Sequence, residues 1–223
     1  ERAAALGYPA LALLDRDGVY GAPRFHKAAP AAGIKPIIGA ELSVLPVQPL
    51  PPVLPFILPV LCESAEGYRN LCRLITTMKL RAPKGEGALT LEDFDGRTAG
   101  LIALLGRAAL DTRRFGVGGL VDRFVGLFGR DHLYVELQRH ARRDEAHDNR
   151  MLADLAAAYR VPVVATGGVR FAEPSARPLF DVFTCIHHGT DLQQAGRRLV
   201  PNAERYLKAP GDMTALFGDC PDA

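Results

Sequence analysis

The residues with the most chemistry in them stand at the ends of short apolar runs. The run ALALL at 10–14 is followed by Asp15-Arg16-Asp17-Gly18. Two carboxylates at a strand tip could hold a hard cation, and the C-terminal ends of strands are where α/β folds gather ligands. Arg16 argues against a cation, because it puts a permanent positive charge where the ion would sit. Asp-x-Asp-Gly is also a common turn, and the turn is the preferred reading. Glu41 closes a second apolar run, PIIGA at 36–40. A carboxylate there must be paired or exposed. It could be a metal ligand or a base, but a salt bridge to Arg16 is the expectation.

Two later segments repeat the pattern. In LYVELQRH (133–140), strand alternation puts Tyr134, Glu136 and Gln138 on one face, with His140 in phase if the strand persists. Such a polar row lines a cavity, or else belongs to a solvated strand end before the basic run Arg139, Arg142, Arg143. In ATGGVRF (165–171), Gly167 and Gly168 allow a close backbone approach, although a plain turn is favoured. His187 and His188 end a helical pattern, where an imidazolium suits the helix dipole. Arg197, Arg198 and Arg205 could touch phosphates or be solvated. No GxSxG or HExxH motif occurs, and no nucleophile stands beside an evident base.

The elements that must position these residues read as strands alternating with helices. Strands are expected at 10–14, 36–44, 56–62, 100–105, 133–137 and 161–166. Helices are expected at 22–32, 64–80, 117–128, 144–159 and 174–187. Ser64 is a candidate N-cap and Thr90 opens a capping-box pattern. The helix at 174–187 is expected to bury Leu179, Val182, Phe183 and Ile186. This alternation predicts βαβ units and a parallel sheet, either an open sheet or a barrel of about seven strands. The opening ERAAALGY looks like the last turns of a helix capped by Gly7, so a barrel strand is expected before it. Residues 45–59 hold six of the 17 prolines and read as an extended connecting loop. An SH3-type ligand is the minor alternative there.

With 223 residues, 48% hydrophobic and 23% charged, the chain is long enough for one α/β barrel or two small domains and has an ordinary globular composition. A net charge of +2 neither demands nor excludes nucleic acid. The four cysteines form no CxxC pair, which favours free thiols in a reducing cytoplasm. No apolar run approaches a membrane span, so no membrane partner is expected.

Several of these stretches together carry a family resemblance. DRDGVYGAPRFHKAA with GIKPIIGAEL, then EGYRNLCRLIT, HLYVELQRH, VPVVATGGVRF and the closing DVFTCIHHGTDLQQAGRRLVPNAERYLKAPGDMTALF, resemble the polymerase and histidinol phosphatase (PHP) domain of bacterial DNA polymerase III alpha subunits. The closing run is most similar to the error-prone alpha-type polymerases. The resemblance covers nearly the whole chain as a single domain. It implies a distorted (β/α)7 barrel, here without its first strand. Active members hold about three zinc or manganese ions at the strand tips and hydrolyse phosphoesters.

Against that family pattern, Arg16 replaces a ligand histidine between Asp15 and Asp17. Gly168 and Arg170 replace two further ligands, and only Glu41 and His140 keep ligand-type side chains. Two protein ligands are too few for the usual metal site. The resemblance therefore implies a domain without its own activity, catalytic residue or cofactor, with Arg16 and Arg170 paired to Asp15, Asp17 and Glu41. A metal-dependent phosphoesterase or 3′–5′ proofreading exonuclease is the alternative. A parent polymerase would use Mg²⁺, DNA and deoxynucleoside triphosphates, with a sliding clamp and mutagenesis accessory proteins as partners.

Overall fold

The computed structural model describes residues 1–45, 55–83, 85–107, 110 and 117–223. Six strands form one sheet in sequence order: β1 (Ala10–Arg16), β2 (Lys35–Val44), β3 (Phe56–Cys62), β4 (Leu101–Leu105), β5 (Leu133–Gln138) and β6 (Val163–Thr166). Among the described residues seven α-helices accompany them: α1 (Arg2–Ala5), α2 (Ala22–Ala31), α3 (Ala65–Arg81), α4 (Val117–Phe128), α5 (Glu145–Tyr159), α6 (Arg177–His188) and α7 (Pro210–Leu216). All six expected strands are present, within one or two residues at their ends.

The all-parallel expectation fails at one strand. β3 runs antiparallel to both β2 and β4, whereas β1–β2, β4–β5 and β5–β6 are parallel. The physical reason lies in residues 45–55. A parallel return needs a crossover of a dozen or more residues, usually helical, and this proline-rich stretch is too short and has no helical pattern. The expected loop at 45–59 also shortens, because Pro59 lies inside β3. Pro59 pairs only toward β2, since β4 engages Val60 to Cys62, so its missing N–H costs no ladder bond on that side. Residues 46–54 lie outside the described residues.

Strand alternation sorts the two faces. Ala40, Leu42 and Val44 of β2, Leu58 and Val60 of β3, Leu101, Ala103 and Leu105 of β4, and Leu133, Val135 and Leu137 of β5 all belong to the main core. They meet Leu71, Leu74 and Met78 of α3, Phe124 and Phe128 of α4, and Leu152 and Ala156 of α5. Phe94 packs on Phe124 and Phe128 with ring centroids 5.8–6.3 Å apart. The opposite face carries Glu41, Glu136 and Gln138, so the polar row expected on β5 is real and turns away from the helices.

The sheet curls. In a flat sheet β2 and β6 would stand about 19 Å apart at roughly 4.8 Å per strand. That is farther than an arginine and a glutamate reach together. Yet Arg170, just after β6, binds Glu41 of β2 at 3.0 Å. The result is a six-stranded, strongly curled half-barrel with its polar face inside.

A segment that sequence periodicity did not single out ties the two edges together. Arg205 accepts hydrogen bonds through its backbone oxygen from Arg170 N and Phe171 N. Leu207 packs with Ala3, Ala29 and Ile34, and Tyr8 Oη donates to Lys208 O at 2.7 Å. Residues 205–208 therefore run from the β6 edge to the helices beside β1.

α6 departs from expectation. Its buried side chains are Asp181 and Cys185, whereas Leu179, Val182, Phe183 and Ile186 are exposed, up to 68% for Ile186. The helical period was correct but the assignment of its apolar face to the core was not. The opposite face packs instead, with Asp181 paired to Arg177 at 3.4 Å.

The N-terminus of α3 depends on a close backbone approach. Ser64 Oγ accepts from Gly67 N at 3.2 Å, making it the N-cap. A methyl group on Gly67 would land on the carbonyl oxygen of Gly100. Backbone oxygen cannot swing away as a side chain can, so Gly67→Ala is expected to cost about 3 kcal/mol. Thermal or urea unfolding of the variant measures this; an unchanged midpoint would contradict the packing described.

Candidate functional site

The C-terminal end of β1 brings Arg16 opposite Glu41 in the parallel register. Arg16 Nη2 lies 3.0 Å and Nε 3.3 Å from Glu41 Oε2. Arg170 reaches the same carboxylate from the far edge, with Nη2 3.0 Å from Oε1 and both terminal nitrogens 3.3 Å from Oε2. Glu41 is thus clamped between two guanidiniums. Its side chain is 16% exposed, against 50% for Arg16 and 32% for Arg170.

The two aspartates of the first strand tip do other work. Asp15 Oδ2 accepts from Gly21 N at 2.7 Å, fixing the turn into α2. Asp17 takes a left-handed φ of 50°, and its carboxylate accepts from Ser43 N at 2.7 Å and Ser43 Oγ at 2.8 Å. It extends the β1–β2 pairing past the last paired residue. The expected pairing of Arg16 and Arg170 with Asp15, Asp17 and Glu41 is therefore realised through Glu41 alone. Backbone N–H groups satisfy both aspartates, because the turn leaves those donors beyond the ladder.

β5 and β6 supply the inner wall. Thr166 Oγ1 donates to Glu136 Oε1 at 2.6 Å and accepts from Gln138 Nε2 at 3.2 Å. Glu136 is 8% exposed, and a Cβ on Gly106 would lie 2.8 Å from its Oε2. Burial pushes the Glu136 carboxyl above its ordinary range, and the Glu41 charge adds to this. Bonds from Thr166 and Gln138 and the Arg205 charge offset it in part. Gly168 has a φ of 50°, and a Cβ there would meet Gln138 Oε1 at 2.6 Å.

His140 is buried, 3% exposed. Its Nδ1 faces Glu145 Oε1 at 3.1 Å and its Nε2 faces Gly167 O at 2.9 Å. Both ring nitrogens are therefore engaged. Glu145 Oε2 also accepts from His140 N and Arg142 N at 2.7 and 3.0 Å. Burial lowers the His140 pKa, with Arg205 acting the same way, while Gly167 O and Glu145 oppose it. Asn202 Nδ2 donates to His140 O at 2.6 Å, a contact from outside the strands that sequence reasoning missed.

Arg205, which sequence reading left between a phosphate contact and a solvated side chain, lies half-buried beside this wall. Its Nη1 donates to Gly168 O at 3.4 Å. Burial lowers its pKa first, and the neighbouring Arg170 charge lowers it further. His187 and His188 lie in the exposed last turn of α6. Arg197 and Arg198 are exposed. Among the described residues no three His, Cys, Asp or Glu side chains converge in a way that could hold a metal ion. A cavity of about 510 Å³ lies elsewhere, between α2 and α3, lined by His26, Ile38, Cys62 and Tyr68 among others.

Residues 1–140, which include the strand tips at Arg16 and Glu41, match the family model described as the PHP domain. The chain belongs to the PHP domain family. An error-prone DNA polymerase of Anaeromyxobacter sp. (strain K) is 39% identical over 228 residues, which is 99% of this chain and 19% of that protein. DNA polymerase III subunit alpha of Xylella fastidiosa (strain 9a5c) is 34% identical over 230 residues, covering 100% and 19%. The same subunit of Escherichia coli (strain K12) is 34% identical over 230 residues, covering 100% and 20%. This PHP domain therefore spans about a fifth of the length of the curated relatives it matches. No helix among its described residues is long and apolar enough to cross a membrane.

The buried carboxyl of this PHP domain makes stability depend on pH. Because the folded pKa of Glu136 is raised above 4.5, the folded state holds its proton longer than the unfolded chain. The group's contribution is fully present below pH 4.5 and is lost as pH rises through the folded value. Glu136→Gln keeps an oxygen to accept from Thr166 and cannot ionise. Its stability relative to the unsubstituted protein is expected to increase with pH above 4.5 and then level off. Urea unfolding of both proteins across that range checks this; a pH-independent difference would contradict it.

Proposed function

We propose that this chain is the PHP domain of an error-prone DNA polymerase and serves it as a structural element with no hydrolytic activity of its own. The observation that carries this reading is the double clamp on Glu41. The carboxylate at a ligand position is held by Arg16 and Arg170, and the histidine at the other has both ring nitrogens engaged by Glu145 and Gly167. These donors do not fit the metal cluster that the family resemblance implies. The guanidiniums stand where the metal charge would be and link the two sheet edges electrostatically.

The similarity to polymerases supports a parent enzyme that extends DNA from deoxynucleoside triphosphates with Mg²⁺. Its nucleotidyl-transfer carboxylates would lie outside the region matched here. A role in translesion synthesis and damage-induced mutagenesis, with a sliding clamp and accessory proteins, belongs to the same reading. So does a cytoplasmic location.

Arg16 is half exposed, so its pair is weakened by solvent. Arg16→Ala is expected to cost about 1 kcal/mol, roughly 2–4 °C in melting temperature for a chain of this size. An unchanged melting curve would sink the structural role of the clamp. Elemental analysis of the purified protein is expected to find well under one zinc or manganese per chain. Two or three tightly bound ions, with hydrolysis of a phosphodiester, would overturn the reading in favour of a metal-dependent phosphoesterase or exonuclease.

A further inference from the structure

α3 covers the side of the sheet opposite Glu41, with Leu71, Leu74 and Met78 turned to the core. On its solvent side Cys72 and Thr76, and Arg73 and Thr77, form two rows at i, i+4 spacing. Arg97 approaches them from the loop between Phe94 and β4. These five side chains line a hollow of about 310 Å³.

Neutral partners brace both guanidiniums. Arg97 Nη1 donates to Thr77 Oγ1 at 2.9 Å, and Arg73 Nη1 donates to Asn70 Oδ1 at 3.3 Å. Asn70 is buried, and its Nδ2 donates to Ala99 O at 2.9 Å, which ties α3 to the same loop. Thr98 Oγ1 fastens that loop to α4 through Leu127 O at 2.7 Å. Among the described residues neither arginine is in an ion pair, and no carboxylate lines the hollow. The acids nearest in the chain keep their charges but meet them elsewhere. Asp93 ends on Arg81 at 2.6 Å, and Glu92 is held by Thr90 and faces the charge of Arg123. Asp95, two residues before Arg97, is exposed. A guanidinium has five N–H donors in a fixed fork, and each of these two uses one on the protein.

Leu80 extends the strip. It follows Arg73 by seven residues and Thr76 by four, and it is 83% exposed. A single exposed leucine is ordinary on a protein surface, but this one stands one helical turn beyond a braced pair of cations.

We propose that this strip of α3 is a docking site for an acidic segment of a protein partner, with carboxylates entering the hollow between Arg73 and Arg97 and an apolar side chain resting on Leu80. Charge complementarity selects carboxylates, which match guanidinium forks in bidentate geometry. The hollow is at the small end of ligand pockets, which run about 300–1,000 Å³, so it suits side chains better than a cofactor. Leu80 and the methyl groups of Thr76 and Thr77 favour a peptide over a nucleic acid strand, because a phosphate backbone offers them no apolar partner. Bracing before contact reduces the ordering that opposes binding. The strip lies on the far face of the sheet from the Glu41 clamp and stands independently of how the strand tips are read.

The test titrates the 223-residue protein into a fluorescein-labelled peptide, Asp-Glu-Leu-Glu-Asp, and follows anisotropy. Saturable binding is expected, weakened about tenfold in Arg97→Gln, where a half-buried charge-assisted bond is lost. Arg73→Gln, at the exposed rim, is expected to weaken it about threefold. Leu80→Ser is expected to weaken it about fivefold and to leave unchanged the binding of a peptide with alanine in place of leucine. Its exposed position covers the case in which Arg97→Gln fails to fold. Arg143→Gln, exposed beyond β5, is expected to bind as the unsubstituted protein does. The site is overturned by the absence of saturable binding to the folded protein, or by unchanged affinity in both Arg73→Gln and Leu80→Ser. An equal loss in Arg143→Gln would mark unspecific attraction between charges and overturn it too. Inorganic phosphate or a single-stranded oligonucleotide that displaces the peptide at equal concentration would overturn the protein partner in favour of a phosphate ligand.

Discussion

The bridge from Arg16 through Glu41 to Arg170 is the interaction on which the concave side of this molecule depends. It is the point where β1, β2 and the segment after β6 meet. A curled sheet brings its strand tips inward, and side chains of like charge would then repel. One carboxylate between two guanidiniums resolves that conflict at the site of closest approach. The pair is only partly buried, so water screens it. Its value lies in fixing geometry across the sheet more than in adding net stability.

The rest of the interior follows from that constraint. With β2 and β6 drawn together, Glu136 and His140 lose contact with water and must find partners inside. Glu136 finds Thr166 and remains inclined to keep its proton. His140 finds Glu145 and Gly167. The segment 205–208 then covers the remaining gap between the edges, contributing Arg205 to the mouth and Leu207 to the small cluster beside β1. The helices on the other face hold the sheet by ordinary apolar packing, which is blind to this polar arrangement.

Much of this was legible in the residues. The six strands followed from short apolar runs bounded by turn residues, and the helix periods were correct even where the buried face was not. Strand alternation in LYVELQRH already put Glu136 and Gln138 on one face, and they line the interior. The Glu41–Arg16 pair followed from a guanidinium ending one strand and a carboxylate near the end of its neighbour. β3's direction was less visible, because apolar content fixes a strand but not its sense. The α6 error has a related cause: an apolar stripe shows that a helix has two faces, not which one meets the sheet.

By itself the sequence determined the elements and the family, since both are written in local residue types and spacing. Only the tertiary structure decided what Asp15, Arg16, Asp17 and Arg170 touch. Asp15 and Asp17 lie next to Arg16 in the chain, yet backbone N–H groups take both. Arg170 lies 129 positions from Glu41, yet they share an ion pair. The physical reason is that hydrogen-bond donors left over at strand ends, and distances set by sheet curl, arise from the whole chain's closure and from no single segment of it.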